Sequence, residues 1–251
     1  MRIAAIGGDK APAIKTLSQS MDNANVLVIP SACSTPKSYD RKVAACVAFF
    51  ESQNMQPTVL HALNETPSKT KIDHEIGSTG LIYTIGGNTP VMLQNMAEHG
   101  TDAAIREAVL QGTPHAGVSA GALLPFRGMH SCIAKKPAEE DWEYTLFEGL
   151  DLLHATATAH ADQHDPTPFG IREDTRLEHL SAHFPHNTDL GVGIDNGASL
   201  IIQDNESFVV SAVADARVHV LVPLMEGLGD IWLRHGHHLP DDFHHQLTDP
   251  S

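Results

Sequence analysis

His115-Ala116-Gly117-Val118-Ser119-Ala120-Gly121-Ala122 is a short buried-strand pattern that ends in a serine between two glycines and runs on into small residues. A G-x-S-x-G stretch after a buried strand fits a strand-to-helix turn whose flanking glycines permit a strained backbone, lifting the serine Oγ out of the sheet. The amide of Ala120, at the helix start, can then point at an oxyanion. The same letters also occur in Gly-Ser turns that carry no chemistry, so the neighbouring segments must decide.

Outward from this turn, short apolar runs rich in β-branched residues alternate with longer amphipathic stretches. The runs are Arg2 to Ile6, Asn25 to Ile29, Thr58 to Leu60, Leu81 to Ile85 and His115 to Val118. Helical patterns lie over Ala11 to Met21, Ser38 to Gln53 and Thr101 to Gln111. This alternation predicts an α/β fold, a doubly wound, mostly parallel sheet with helices on both faces and function at the carboxyl ends of the strands. Beyond residue 185 the runs crowd together as Gly191 to Asp195, Ala198 to Gln203, Ser207 to Val213 and Val218 to Val222, joined by Asp-Asn turns. They predict a β-rich C-terminal edge rather than a second domain. A single α/β domain over residues 1–233 is expected, followed by a polar, His-rich, partly disordered tail over 234–251.

Composition narrows the function classes. The chain has 251 residues, 41% hydrophobic and 19% charged, and no disordered or fibrous bias. Length alone gives a prior of about 1.7 domains, which one large α/β unit satisfies. Sixteen Lys and Arg against 31 Asp and Glu leave a net charge of -15, a surface that repels nucleic-acid backbones and anionic lipid. Protonation of all 17 His would move it to +2, so charge depends on pH below neutrality. Cys33, Cys46 and Cys132 form no CxxC pair, and no apolar run reaches a membrane span. A reducing, cytoplasmic location is therefore expected, with neither nucleic acid nor membrane as partner and a homodimer left open.

A second glycine turn lies in Leu81-Ile82-Tyr83-Thr84-Ile85-Gly86-Gly87-Asn88-Thr89-Pro90. Its glycines permit close backbone approach, so the Gly87 amide can serve as a second oxyanion donor, while Gly-Asn-Thr also reads simply as a helix N-cap. IGGNTPVMLQ and GVSAGALLP together resemble the corresponding motifs of the S51 serine peptidases, the group of peptidase E (aspartyl dipeptidase) and cyanophycinase. Phe147-Glu148-Gly149-Leu150-Asp151-Leu152-Leu153 followed by Ala159-His160 resembles the segment that leads into the catalytic histidine of that group. IGGDK at 6–10 and Gly193-Ile194-Asp195-Asn196-Gly197-Ala198 add to the likeness, which spans most of residues 1–213 in order.

The resemblance implies a glutamine-amidotransferase-like, flavodoxin-like fold and a short-peptide substrate, with no cofactor. It implies Ser119 as nucleophile, His160 as general base and the Gly87 and Ala120 amides as oxyanion hole. It places an acid between Ser and His, where this chain departs from the peptidase E pattern and offers Glu139, Glu140 and Asp141; spacing favours Glu139 or Glu140. Asp174-Thr175-Arg176, with Arg172 nearby, resembles a peptidase E segment after the histidine. A guanidinium there could bind an aspartyl carboxylate and give Asp-X preference, and Asn88 is a further candidate substrate contact. A cyanophycinase-like β-aspartyl hydrolase is the closest alternative. His160 and His164, with His235-Gly236-His237-His238, raise a metal-dependent hydrolase, but no HExxH is present and no metal is expected. Gly7-Gly8-Asp9-Lys10 lacks GxGxxG and GxxxxGK[ST], so nothing supports a nucleotide cradle, and a non-catalytic interaction role is the remaining alternative.

Overall fold

The protein, a computed structural model, is described over residues 1–60, 67–132, 142–184, 190–224 and 227–249. Its strands are β1 (Arg2–Ile6), β2 (Asn25–Ile29), β3 (Gln56–Val59), β4 (Leu81–Thr84), β5 (His115–Val118), β6 (Phe126–Cys132), β7 (Tyr144–Glu148), β8 (Leu153–Ala159), β9 (Pro166–Thr167), β10 (Gly170–Ile171), β11 (Leu190–Ile194), β12 (Ala198–Gln203), β13 (Glu206–Ser211), β14 (Val218–Leu224) and β15 (Gly227–Leu233). Its helices are α1 (Ala11–Ser18), α2 (Pro36–Ser52), α3 (Lys69–Gly77), α4 (Thr89–His99), α5 (Thr101–Leu110), α6 (Ala120–Leu123), α7 (Arg176–His183) and α8 (Asp241–Thr248).

The first sheet runs β13-β12-β1-β5-β4-β2-β3. Strands β1 to β5 are mutually parallel, and β12 and β13 close one edge antiparallel. Its strands β1, β2 and β4 read as nearly unbroken apolar runs because both faces are buried. Ile3 and Ala5 join one core while Ala4 and Ile6 join the other; Leu27 and Ile29 divide from Val26 and Val28 in the same way. Helices α1 and α2 cover one face through Ile14, Leu17, Tyr39 and Phe50. Helices α3, α4 and α5 cover the other through Ile72, Met92, Met96 and Ile105. The fold is thus the expected α/β arrangement with helices on both faces.

The β-rich half differs from a simple edge. Strands β12 and β13 do extend the first sheet, but β11 and β14 lie in a second, six-stranded sheet of order β15-β14-β11-β8-β6-β7. Strand β11 is buried throughout and pairs parallel with β8 on one side and antiparallel with β14 on the other. The turn Asp195-Asn196-Gly197 therefore carries the chain from one sheet to the other instead of closing a hairpin, with Gly197 at φ +81°. The polar tail also departs from expectation. Helix α8 inserts Leu247 into the main core, and its His244 Nδ1 lies 2.8 Å from Ser207 Oγ, so residues 241–248 are packed. Apolar burial on one face outweighs the polar average of the segment. Among the described residues, no helix is long and apolar enough to cross a membrane.

Candidate active site

Ser119 directly follows β5 and precedes α6. Its backbone sits at φ 57° and ψ -123°, a conformation that costs a non-glycine residue on the order of 1–3 kcal/mol and persists only where the surroundings enforce it. Enforcement comes from the neighbouring strands. The Ser119 amide donates to the Ile6 carbonyl at 3.0 Å. A Cβ on Gly117 would lie 2.0 Å from the Gly121 carbonyl oxygen, and one on Gly86 would lie 2.6 Å from Ser119 Cβ. Small residues are therefore required at both places for the turn to close on itself and for the loop after β4 to reach it.

His160 occupies the equivalent place in the second sheet. It follows β8 with φ +56°. The parallel register of β8 and β11 pairs Ala159 with Ile194, so the residues just beyond the two strands meet. His160 Nδ1 lies 2.6 Å from Asn196 Oδ1. Asp162 Oδ1 in turn accepts from the Asn196 backbone amide at 2.8 Å and from its Nδ2 at 3.0 Å. Burial pulls the His160 pKa below its ordinary value; the Asn196 contact opposes this, and the nearby Arg176 charge adds to it.

Ser119 and His160 line one cavity of about 350 Å³, together with Gly87, Asn88, Ala120 and Lys42. A second lobe of about 390 Å³ shares Ser119, His160, Gly87 and Lys42 and adds Lys10. Among the described residues, neither the Gly87 nor the Ala120 amide is hydrogen-bonded to another group. Lys42 Nζ donates to the Gly86 carbonyl at 2.6 Å, tying helix α2 to the glycine turn.

A strained serine, a histidine and two open amides thus meet at one cleft. The model of peptidase family S51 matches residues 8–210. The chain belongs to peptidase family S51. An uncharacterized peptidase of Listeria monocytogenes serovar 1/2a, Lmo0363, is 26% identical over 161 residues, which is 64% of this chain and 76% of that one. Among solved structures, a peptidase from an acI-B1 actinobacterium superposes with a TM-score of 0.71 at 17% identity, covering 95% of this chain and 96% of that one. A candidate peptidase E protein from Listeria monocytogenes EGD-e gives 0.59 at 19% identity, with 84% and 98% covered. These structures share the fold of this chain.

Within this S51 chain the remaining expected site residues separate. Asn88 lines the cavity, but its Oδ1 accepts from the Val91 amide at 3.0 Å, so it also caps α4. Arg176 lines the cavity too, yet its guanidinium grips Asp165 and donates to the Ala159 carbonyl. Arg172 forms a bidentate pair with Asp174 and lies over the Trp142 and Tyr144 rings. Neither arginine presents a free fork to a ligand, because local carboxylates of the same segment have claimed both. Glu139, Glu140 and Asp141 lie outside the described residues. His164 Nδ1 is 3.2 Å from the Arg172 carbonyl oxygen, and among the described residues no three His, Cys, Asp or Glu side chains gather as a metal site.

Three residues at or behind the cleft escape sequence reading: Lys42 lines it, while Asn196 and Asp162 reach it only through His160. Asn196 and Asp162 look like turn residues, although Asn196 stands two residues beyond the carboxyl end of a buried strand, where α/β folds keep their sites. Lys42 looks like an ordinary charge on a helix face.

Proposed function

We propose that this S51 peptidase is a serine enzyme that hydrolyses short peptides. Ser119 Oγ attacks the carbonyl carbon while His160 Nε2 takes its proton. The resulting oxyanion is held by the Gly87 and Ala120 amides. Nε2 then returns the proton to the leaving nitrogen as the C–N bond breaks, giving the free amine and an acyl-serine. Water, deprotonated by the same nitrogen, splits the ester and restores Ser119. The observation that carries this reading is the convergence of two strained residues, Ser119 and His160, from two different sheets onto one cleft. Strain kept at both places is expected where side-chain position matters to function.

The cleft volume suits a dipeptide or a similarly small substrate. An acidic substrate group would meet Lys42 or Lys10, not the paired arginines. Among the described residues, no carboxylate forms an ion pair with either lysine. The site therefore supports Asp-X peptides as the preferred class, read by lysine ammonium groups. Incubation with Asp-X, X-Asp, β-Asp-Arg and neutral dipeptides, with and without a chelator, tests this. Turnover of Asp-X peptides insensitive to chelation is expected; no turnover of any peptide, or turnover lost on chelation, contradicts it.

A further inference from the structure

We infer that Asn196, oriented by Asp162, is the positioning residue that sets the tautomer of His160. The inference rests on the reading of His160 as the general base.

The chain of donors and acceptors runs one way. An ionised carboxylate only accepts, and Asp162 Oδ1 receives both the backbone N–H and the Nδ2 of Asn196, at 2.8 and 3.0 Å. With its amino end committed there, the Asn196 amide must turn Oδ1 outward. That oxygen can only accept, and it stands 2.6 Å from His160 Nδ1. Nδ1 must therefore carry the hydrogen, and in the neutral ring Nε2 is left unprotonated, as the base requires. Asp162 thus acts on the imidazole at one remove: its charge fixes the amide, and the amide fixes the ring. The ring nitrogen that a triad carboxylate would hold is already occupied, so the orienting task expected of Glu139 or Glu140 falls to Asn196.

Local topology keeps the three side chains in place. His160 and Asp162 belong to the turn after β8, and Asn196 to the turn after its parallel neighbour β11. The Asn196 backbone bond pins one turn to the other independently of the side-chain amide. Other charges bearing on the ring are Arg176 and Asp165, which are paired with each other, and Lys42 shares the cavity.

The test reads the ring directly. In the full chain labelled with ¹⁵N-histidine, the His160 signals are those missing from His160→Gln. Above neutral pH they should show Nδ1 protonated and Nε2 bare, and Asn196→Ala and Asp162→Ala should abolish that single tautomer. Nε2–H in the wild-type protein overturns the inference whatever the variants do. Kinetically, Asn196→Ala should lower kcat about 10²–10³-fold with KM changed only a few-fold, short of the roughly 10⁴ reported for a wrong-tautomer triad. Asp162→Ala should lower kcat more than about 10-fold, while Asp162→Asn, which keeps an acceptor oxygen, should recover most of it. If Ser119→Ala abolishes turnover while Asn196→Ala and Asp162→Ala leave kcat and tautomer unchanged, the relay is wrong and the serine mechanism stands. If Ser119→Ala retains turnover, the serine mechanism fails, and the wild-type tautomer still decides the relay.

Discussion

Arg176 holds Asp165 with two nitrogens, Nε to Oδ2 at 2.6 Å and Nη2 to Oδ1 at 2.8 Å. Only 3% of the Asp165 side chain and 16% of that of Arg176 is exposed. Burial pushes the Asp165 carboxyl up, yet the Arg176 bonds and charge and the Tyr144 hydroxyl bring it below its ordinary value. The pair braces the segment between β8 and α7 from which His160 projects.

Removing one partner of a buried pair leaves an uncompensated charge, a loss of about 3–5 kcal/mol. Arg176→Ala and Asp165→Ala should each lower unfolding free energy by about 3 kcal/mol, and the double variant should lose less than the sum. Denaturant titration of the four proteins gives this cycle. A stable Arg176→Ala whose KM rises only for acidic peptides would instead restore the arginine to substrate recognition.

Lys42 supports the glycine turn through the Gly86 carbonyl and faces the cleft. Lys42→Met should lower kcat about 10–100-fold, since a displaced oxyanion donor costs about 10²–10³ when lost outright. KM should rise for Asp-X peptides and stay nearly level for neutral ones. Steady-state kinetics on paired acidic and neutral dipeptides reads both effects.

Acid should unfold the protein through histidines buried in their neutral form. Burial lowers His115, whose Nε2 meets Thr84 Oγ1 at 3.0 Å, to about 4. Burial and the neighbouring His179 lower His130 to about 3. Below about pH 6.5 the unfolded chain binds protons that these folded rings refuse, so stability falls as pH drops through this window and is fully present above it. For His115 alone the loss reaches about 3 kcal/mol by pH 4. His160, His179 and His244 are lowered and act in the same sense, while His219, raised by Asp195 and Asp230 against its burial, acts in the opposite one. Unfolding midpoints measured from pH 7.5 to 4 should decline, and His130→Gln should flatten the slope.

Catalysis and stability respond to pH separately. Because burial lowers His160, the acid limb of kcat/KM should lie below the ordinary histidine value near 6.5. A limb above 7 would identify a different base.

Strands β1, β2 and β4 were readable because each is short, apolar on both faces and followed by its own helix, and Ser119 was readable because its turn demands glycines. His160 was readable only with the neighbouring motifs, since its identity alone does not separate it from the 16 other histidines. The second sheet was hidden because the partners of β11 are fixed by long-range pairing, and a turn such as Asp195-Asn196-Gly197 looks alike whether it closes a hairpin or changes sheets. The pairing of Arg172 and Arg176 was hidden for a related reason: whether a guanidinium is free depends on Asp174 and Asp165, whose approach only the folded chain sets. Asn196 carries no charge to attract notice, and its importance arises from the residues it touches.

The most direct test of the account is the ratio of kcat/KM for the best Asp-X dipeptide between the wild-type protein and Ser119→Ala, with both shown to be folded by circular dichroism. The account predicts a loss of at least about 10³-fold and as much as about 10⁶. A ratio near one would contradict it.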